Sequence, residues 1–312
     1  MIRKISLLII IVMTFSCRHE AKTTATTDLA VSVPVFSADS AYLFVAQQVD
    51  FGPRVPNTPA HEACAAYLVA KLERFGATVT EQKVKLTAFN GDILNANNII
   101  GSFNPEENQR ILLFAHWDTR PWSDNDPDPA NYNKPVLGAN DGASGVGVLL
   151  EIARNIGIQS PRLGIDIIFF DAEDYGAPES YSGNATDTWC LGSQHWARNP
   201  HVNPYRPRFG ILLDMVGAKD ATFYREQISE YYARNIVDKV WTLARNQGFE
   251  RYFVNQAGGA ITDDHVYVNQ IAGIPSINII QYDPQSAKGF GAYWHTVNDT
   301  MSNIDKNTLF AV

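Results

Sequence analysis

The sequence is poor in cysteine, has fewer basic than acidic residues, and lacks the motifs of several common enzyme classes. Three cysteines in 312 residues cannot supply a disulfide framework, and a chain of this length with 45% hydrophobic residues can build a large core without one. The net charge of −8 argues against a nucleic-acid partner. No Gly-x-Ser-x-Gly elbow occurs, so a serine hydrolase is not supported, and no internal repeat indicates a solenoid.

No apolar run is long enough for a transmembrane helix, and the run over residues 5–15 follows two basic residues, as in an export signal. We expect a signal peptide over residues 1–16, then a lipidated Cys17 and a flexible tether over residues 17–35. Simple secretion is the alternative, because the two residues before Ser16 are unusual for a lipoprotein signal. Both alternatives place the folded part outside the cytoplasm, in the periplasm or cell envelope, with membrane contact only through the lipid anchor.

Residues 36–312 are expected to form one α/β domain, which would be the catalytic domain. Helical and strand patterns alternate along it and predict a mostly parallel central sheet with helices on both faces. Helices are predicted at 59–75, 142–155, 191–199 and 229–247, after a first helix capped by Ser37 or Asp39. Strands are predicted at 78–87, 97–103, 110–115, 164–170, 209–216 and 274–280. We expect the domain to close with a long helix, but only seven residues follow Asp305. Whether the C-terminus is complete therefore stays open.

The predicted strand at 164–170 ends abruptly in three acids, Asp171, Glu173 and Asp174. Neighbouring carboxylates at the end of a buried strand repel each other unless a cation or a shared proton compensates. The carboxyl ends of strands are also where open α/β sheets bind ligands. The pattern therefore predicts a metal site beside a general base. A solvated polar loop is the alternative for this cluster taken alone.

Other predicted strand ends and turns carry the same chemistry. His116 and Asp118 follow one strand, Asp141 lies in a glycine-rich turn before a helix, Asp214 ends another strand, and His295 occurs late in the chain. A mixed set of carboxylate and imidazole groups suits zinc. The turn that holds Asp141 lacks the lysine of a nucleotide-binding loop, which argues against a phosphate site.

Cys64 and Cys190 are the two cysteines that remain after Cys17. We expect both in the core, and a disulfide between them stays open because nothing in the sequence brings them together. The histidines outside the strand-end pattern are expected to be surface or hydrogen-bonded residues rather than ligands: His61, His195 and His201.

The order of these motifs resembles that of the zinc aminopeptidase superfamily. It runs from His-x-Asp through an Asp in a glycine-rich turn, an acidic pair and a strand Asp to a late His. Within that superfamily, four segments are similar to the animal and bacterial glutaminyl cyclases: 169–174, 213–218, 258–265 and 294–296. The resemblance extends from about residue 36 to the end and implies the zinc aminopeptidase-like α/β-hydrolase fold.

The resemblance implies one zinc per chain, with Asp141, Asp174 and His295 as ligands and Glu173 as the general acid and base. The animal enzymes have Glu-Glu where this chain has Glu-Asp, so the shorter Asp174 would approach the zinc from a different backbone position. The implied reaction closes the N-terminal Gln of a peptide or protein to pyroglutamate and releases ammonia. Peptides and proteins with an exposed N-terminal Gln are therefore the expected partners.

Four further site residues follow from the same resemblance. Asp214 and Asp263 would form a hydrogen-bonded acidic pair that holds the departing amide nitrogen, since two nearby acids titrate as a coupled pair. Trp294 and Trp189 would be aromatic walls that bind the substrate. Trp189 is the hardest of these to align, because it follows a long loop.

A dizinc aminopeptidase is the competing hypothesis. His116 and Asp214 would then ligate a second zinc, Asp141 would bridge the two ions, and Glu173 would activate a water. A catalytically inactive surface lipoprotein is a third hypothesis, but it predicts the loss of Glu173 or of a zinc ligand, and none is lost. The natural substrates and the oligomeric state do not follow from the sequence.

Overall fold

Eight strands occur in the part of the chain that the computed structural model describes, residues 33–312. They are β1 (Thr78–Thr87), β2 (Ile93–Phe103), β3 (Arg110–His116), β4 (Gly164–Phe170), β5 (Gly210–Asp214), β6 (Phe223–Arg225), β7 (Phe253–Ala257) and β8 (Ser276–Ile280). Six of them form the central sheet in the order β1-β2-β4-β3-β5-β8, and β6 pairs with β7 in a separate two-stranded sheet. The predicted signal peptide, Cys17 and most of the tether lie outside the described residues.

The middle of the central sheet is parallel. β3 pairs in parallel with β4 and β5, and β5 pairs in parallel with β8, whereas β1 and β2 join through antiparallel pairings. His116 lies opposite Phe170, and Asp214 lies opposite Ile280, so the carboxyl ends of these four strands meet at one edge. The predicted α/β fold with a mostly parallel central sheet is confirmed, and the antiparallel pairings of β2 with β1 and β4 make the complete sheet mixed.

Seven α-helices cover the sheet in the described part of the chain. They are α1 (Ala38–Val49), α2 (Pro59–Arg74), α3 (Ser144–Ile158), α4 (Leu191–Arg198), α5 (Gln227–Asn246), α6 (Asp264–Gln270) and α7 (Lys306–Ala311). α4 and α6 pack on one face, and the other five pack on the opposite face, as predicted. Within residues 33–312, no helix combines the length and the hydropathy that a membrane span requires.

Residues of β4 alternate between two separate hydrophobic cores. Phe169 belongs to the core under α1, α2, α3 and α5, whereas Ile168 and Phe170 pack with Trp196 of α4 in the other core. Every residue of β4 is buried. A strand that is buried on both faces has a nearly continuous run of apolar residues. The bounds of β4 therefore follow directly from the sequence.

Polar caps fix where the first helices begin. The Ser37 side chain accepts a hydrogen bond from the Ser40 N–H at 3.1 Å, so Ser37 rather than Asp39 caps α1. The Thr58 hydroxyl does the same for the His61 N–H at the start of α2, at 3.3 Å. α2 ends before Gly76, which has a φ of +92°.

Gly145 allows α3 to approach β5 closely. A Cβ atom at Gly145 would lie 2.1 Å from the carbonyl oxygen of Leu213, a backbone atom that cannot move aside easily. Leu213 directly precedes Asp214, and the turn that contains Asp141 directly precedes α3. The glycine therefore holds two segments with chemically important acids side by side.

Gly145→Ala is expected to lower the free energy of unfolding by about 1–3 kcal/mol, because the added methyl group must push α3 away from β5. Urea unfolding monitored by circular dichroism measures the change. Ile158→Ala, at an exposed position at the end of the same helix, is the matched control and should change stability by no more than about 0.5 kcal/mol. Equal midpoints for Gly145→Ala and the natural protein would contradict the close contact.

Candidate metal centre and active site

A cavity of about 360 Å³ opens at the carboxyl edge of the parallel strands. Its lining combines the acids at the strand ends with residues of later loops, among them Asp141, Glu173, Asp214, Asp263, Trp294 and His295. The structure thus brings together residues that lie more than 150 positions apart in the chain, from Asp141 to His295. The position agrees with the rule that open α/β sheets bind ligands at this edge.

Asp141, Asp174 and His295 form a buried group with the spacing of a metal site. One potential ligand atom from each lies within 4.8 Å of the other two. The Nε2 atom of His295 is 3.3 Å from Oδ1 of Asp174 and 3.5 Å from Oδ2 of Asp141. These are the three ligands that the resemblance implied, and the fold places them on three different segments.

The chemistry of this group fits a bound cation. Both carboxylate oxygens of Asp174 are buried without a hydrogen-bond partner. Burial, with Asp141 nearby, raises the pKa of Asp174 well above its usual range. Burial and the Arg120 cation lower the pKa of His295 to about 3, so its imidazole is neutral, as a metal ligand must be. A divalent cation would compensate both acids, and two carboxylates with one imidazole suit zinc.

Two further acids hold the ligand segments through backbone hydrogen bonds. The carboxylate of Asp299 accepts from the N–H groups of Asn140 and Asp141, at 2.9 and 3.0 Å. The carboxylate of Asp118 accepts from the N–H groups of Glu173 and Asp174, both at 3.1 Å. These contacts fix the backbone on which two of the ligands stand.

His116 lies between two acids of the cavity. Its Nε2 atom is 3.0 Å from Oδ1 of Asp141 and 3.1 Å from Oδ1 of Asp214. Burial alone would lower the pKa of His116, but the surrounding carboxylates of Asp118, Asp141 and Asp214 raise it well above its usual range. The spacing of a second metal site is found in the group formed by His116 itself with Asp141 and Asp214. The geometry therefore admits either a protonated imidazole or a second cation there.

Glu173 is a buried acid that lines the cavity beside the metal group. Burial raises its pKa well above the usual range, although His116 acts in the opposite direction. Its Oε1 atom accepts a hydrogen bond from the Cys190 thiol at 3.1 Å, and its Oε2 atom lies 4.0 Å from Nδ1 of His116. A carboxyl group at this place can serve as a general acid and base.

Asp214 and Asp263 lie close together, but their hydrogen bonds go to other partners. Oδ1 of Asp214 is 3.1 Å from Nε2 of His116, and Oδ2 of Asp263 accepts from the Asn278 amide at 2.7 Å. Burial raises the pKa of Asp214 to about 6 and, together with the Asp214 charge, that of Asp263 to about 7. Among the hydrogen bonds of the described residues, none joins the two carboxylates directly, so their coupling is electrostatic.

Two tryptophans form the aromatic part of the wall. The Trp294 ring stacks on His295 with centroids 3.8 Å apart, and the Trp189 ring lies parallel to His295 at 5.8 Å. The Arg120 guanidinium lies 4.5 Å from the centroid of Trp189 and donates to the carbonyl oxygen of Asp174 at 3.1 Å. Both predicted wall residues therefore line the cavity.

The remaining cysteines and histidines have varied roles. Cys64 and Cys190 are both buried free thiols, so they form no disulfide in this structure. Both lie in the core as expected, Cys64 in the large cluster and Cys190 in a small one with Val266 and Tyr267. Cys190 also contacts Glu173, which the sequence did not indicate. His61 is hydrogen-bonded to Asp171 at 2.8 Å, in agreement with a structural histidine.

Several site residues carry no signal in the sequence. Arg120 stands in an ordinary loop, and Asp299 and Cys190 act through contacts between distant segments, whereas Asp118 belongs to the His-x-Asp motif of the sequence. Asp264 is fully buried, and neither of its carboxylate oxygens has a hydrogen-bond partner. Only the three-dimensional arrangement identifies the roles of Arg120, Asp299 and Cys190, because their sequence neighbourhoods are unremarkable. Asp264 lies in the segment 258–265 that the resemblance includes, but the sequence does not show that it is buried without a partner.

A protein-family model described as peptidase family M28 matches residues 98–312 of the chain. The chain belongs to peptidase family M28. The match begins in β2 and covers all the strand-end acids and histidines of the cavity. Zinc-dependent chemistry at this site is therefore supported by the family as well as by the donor set.

Two solved structures are similar to this M28 protein in both sequence and fold. A crystal structure of a Zn-dependent exopeptidase from Parabacteroides distasonis is 61% identical, with a TM-score of 0.89, over 90% of this chain and 96% of that chain. The glutaminyl cyclase of Bacteroides thetaiotaomicron, solved with N-acetylhistamine, is 58% identical, with the same TM-score of 0.89 and coverage of 90% and 96%. Bovine glutaminyl-peptide cyclotransferase is 26% identical over 289 residues, 82% of this chain and 74% of the bovine protein. The relatives thus carry the names of both enzyme types considered above.

The buried Asp264 makes the stability of the metal-free protein depend on pH. Burial and the neighbouring Asp263 raise the pKa of Asp264 to about 8, from an ordinary value of 3.8. The folded state therefore binds a proton between these two values that the unfolded state releases. Stability falls as pH rises through this window, because ionising Asp264 costs more in the folded state.

Asp264→Asn should remove this contribution, so that the metal-free variant loses less stability between pH 5 and pH 8 than the natural protein does. Urea midpoints at both pH values, in the presence of a chelator, measure the difference. Glu107→Gln, in an exposed turn, controls for the loss of one carboxylate and should leave the pH dependence unchanged. An unchanged pH dependence in Asp264→Asn would contradict the raised pKa of Asp264.

Proposed function

We propose that this M28 protein is a zinc-dependent glutaminyl-peptide cyclotransferase, an acyltransferase that converts an N-terminal Gln to pyroglutamate and releases ammonia. The observation that carries the proposal is the placement of Glu173 and Asp263. Oxygen atoms of these two acids lie within 4.8 Å of each other and of the Cys190 sulfur, in the cavity that also holds the metal group. Similarity at 58% identity to a protein named glutaminyl cyclase supports the same function.

One zinc per chain would be held by Asp141, Asp174 and His295, whose distances and unpartnered oxygens were given above. When bound, zinc supplies a Lewis acid for the γ-carbonyl oxygen of the substrate glutamine. The tryptophan walls favour a folded glutamine side chain, since Trp294 and Trp189 face the cavity on the side of His295. Such folding brings the α-amine to the γ-carbon, and an attack within one molecule is favoured by proximity.

Glu173 moves the proton in this reaction. The α-amine nitrogen forms a bond to the γ-carbon, and Glu173 accepts one proton from that nitrogen. The bond between the γ-carbon and the amide nitrogen then breaks, and Glu173 gives the proton to the leaving nitrogen, which departs as ammonia. A raised pKa makes the ionised Glu173 a stronger base than an ordinary carboxylate, which favours acceptance of the proton.

Asp214 and Asp263 would hold the departing nitrogen. With pKa values of about 6 and 7, the pair is partly protonated near neutral pH and can both accept from and donate to an amide or amine. Asn278 fixes one oxygen of Asp263 at 2.7 Å, so the other oxygen has a defined direction. The pair thus lies beside Glu173, since an oxygen of Asp263 is within 4.8 Å of an oxygen of Glu173.

A dizinc aminopeptidase is the second candidate, favoured by the spacing of His116, Asp141 and Asp214 and by the exopeptidase name of the relative at 61% identity. Glu173 would then activate a water, and Asp141 would bridge two ions. The segments 258–265 and 294–296 are similar to those of the glutaminyl cyclases, for which the resemblance implies a single zinc. We therefore favour one zinc.

Peptides and proteins that begin with Gln are the proposed substrates, and no nucleic-acid partner is proposed. We further infer export, with the domain held at the cell envelope through a lipid on Cys17. This inference rests on the sequence pattern of residues 1–17 alone, which lies outside the described part of the chain.

Glu173→Gln should retain zinc and lose at least about 100-fold in kcat for a Gln-initiated peptide, because the amide cannot transfer the proton. Ammonia release from the peptide gives kcat, and elemental analysis gives the zinc content. Glu179→Gln, an exposed acid at the cavity rim, is the matched control and should keep nearly full activity. Full activity of Glu173→Gln would place the general base elsewhere.

His116→Ala tests the number of zinc ions. With one zinc at Asp141, Asp174 and His295, the variant should bind the same amount of zinc per chain as the natural protein. A dizinc enzyme should instead lose about one zinc per chain, because His116 would be a ligand of the second ion. His61→Ala, a buried histidine outside the cavity lining, controls for the general cost of removing an imidazole.

A further inference from the structure

Cys190 is a buried thiol placed against the catalytic acid. The residue has no exposed surface, and its Sγ atom lies 3.1 Å from Oε1 of Glu173. Burial and the neighbouring acids raise the pKa of the thiol well above its usual range. The sulfur therefore keeps its proton and acts as the donor, with the carboxylate oxygen as acceptor.

The backbone fixes this contact in register. The Cys190 N–H donates to the carbonyl oxygen of Glu173 at 2.9 Å, and the Leu191 N–H donates to the carbonyl oxygen of Ala172 at 3.0 Å. A Cβ atom at Gly192 would lie 2.1 Å from the carbonyl oxygen of Asp171. The segment 190–192 therefore lies directly on the segment 171–173 with no space between them.

Cys190 also adopts a backbone conformation that is unusual for its type. Its φ of +57° lies in the left-handed region, which residues with a side chain rarely adopt. The conformation turns the chain into α4 immediately after Trp189, which lines the cavity. Strained residues of this kind concentrate at functional sites, where the surrounding contacts hold them.

The contact leaves the two oxygens of Glu173 in different environments. Oε1 is held by the thiol, whereas Oε2 lies 4.0 Å from His116 Nδ1, too far for a hydrogen bond. Cys190 does not line the cavity, so its thiol does not reach the substrate as a nucleophile. Its contribution must act through Glu173.

We propose that Cys190 is a positioning residue, whose thiol donates a hydrogen bond to Oε1 of Glu173 and so presents Oε2 to the substrate amine. The inference rests on the proposed role of Glu173 as the proton acceptor. A carboxylate held by one oxygen keeps a single orientation, and orientation at the reacting atoms affects turnover more than substrate binding.

Three variants of the zinc-loaded protein test the inference. Cys190→Ala should lower kcat about tenfold, as expected for the loss of one hydrogen bond at the reacting centre, with KM for a Gln-initiated peptide changed by less than about twofold. Cys190→Ser should restore kcat to within about threefold of the natural value, because the hydroxyl donates from the same place. Cys64→Ala, at the other buried thiol, should leave kcat unchanged. The zinc content of all three should equal that of the natural protein.

The infrared S–H stretching band gives a readout that does not depend on activity. The Cys190 band is the one missing from Cys190→Ser, and it should lie at lower frequency than the Cys64 band because its thiol donates to a carboxylate. In Glu173→Ala the Cys190 band should move to higher frequency. This measurement uses the natural side chain at position 190, so it holds even if Cys190→Ala fails to fold.

Three outcomes would overturn the inference. They are an unchanged kcat in Cys190→Ala, an equal loss of kcat in Cys190→Ala and Cys190→Ser, and a Cys190 S–H frequency that does not change in Glu173→Ala. A loss of one zinc per chain in Cys190→Ala would also overturn it, since the sulfur would then be a ligand. If Glu173→Gln is inactive while Cys190→Ala has the natural kcat, only this inference fails. If Glu173→Gln is fully active, the proposed function of Glu173 fails first.

Discussion

The repulsion among buried carboxylates at one edge of the sheet is the constraint on which the site depends. Parallel strands end side by side, so the acids that follow them are forced together in a region shielded from water. Asp141 raises the cost of ionising Asp174, and both carboxylate oxygens of Asp174 lack a hydrogen-bond partner. A bound cation would compensate the ligand carboxylates, and Glu173, which is not among these ligands, stays available to transfer a proton.

Residues around the cavity hold the repelling carboxylates in fixed positions. The carboxylates of Asp118 and Asp299 fix the ligand segments by accepting hydrogen bonds from backbone N–H groups. The Arg120 guanidinium stacks on the Trp189 ring and donates a hydrogen bond to the carbonyl oxygen of Asp174. The lack of a side chain at Gly145 lets α3 pack directly against the backbone of β5. Precise placement of the catalytic groups therefore comes from rigid packing outside the cavity.

The sequence predicts those parts of the molecule that local patterns determine. The bounds of β1 and β4 follow from their β-branched and apolar runs, and the acids after β4 indicate a ligand site at a strand end. Short elements such as α6 and β6 depend on tertiary packing, and their few residues carry no clear periodicity. The roles of Arg120 and Cys190 depend on segments that meet only in the folded protein, so the sequence alone does not reveal them.

The most direct test of the proposed function is the mass spectrum of a short peptide that begins with Gln, taken after incubation with the zinc-loaded protein. The same cavity could serve an intramolecular attack by the α-amine or an attack by water, and the product distinguishes the two. The account predicts that the peptide loses one ammonia while every residue is retained. Release of free glutamine with a peptide shortened by one residue would contradict it and would identify an aminopeptidase.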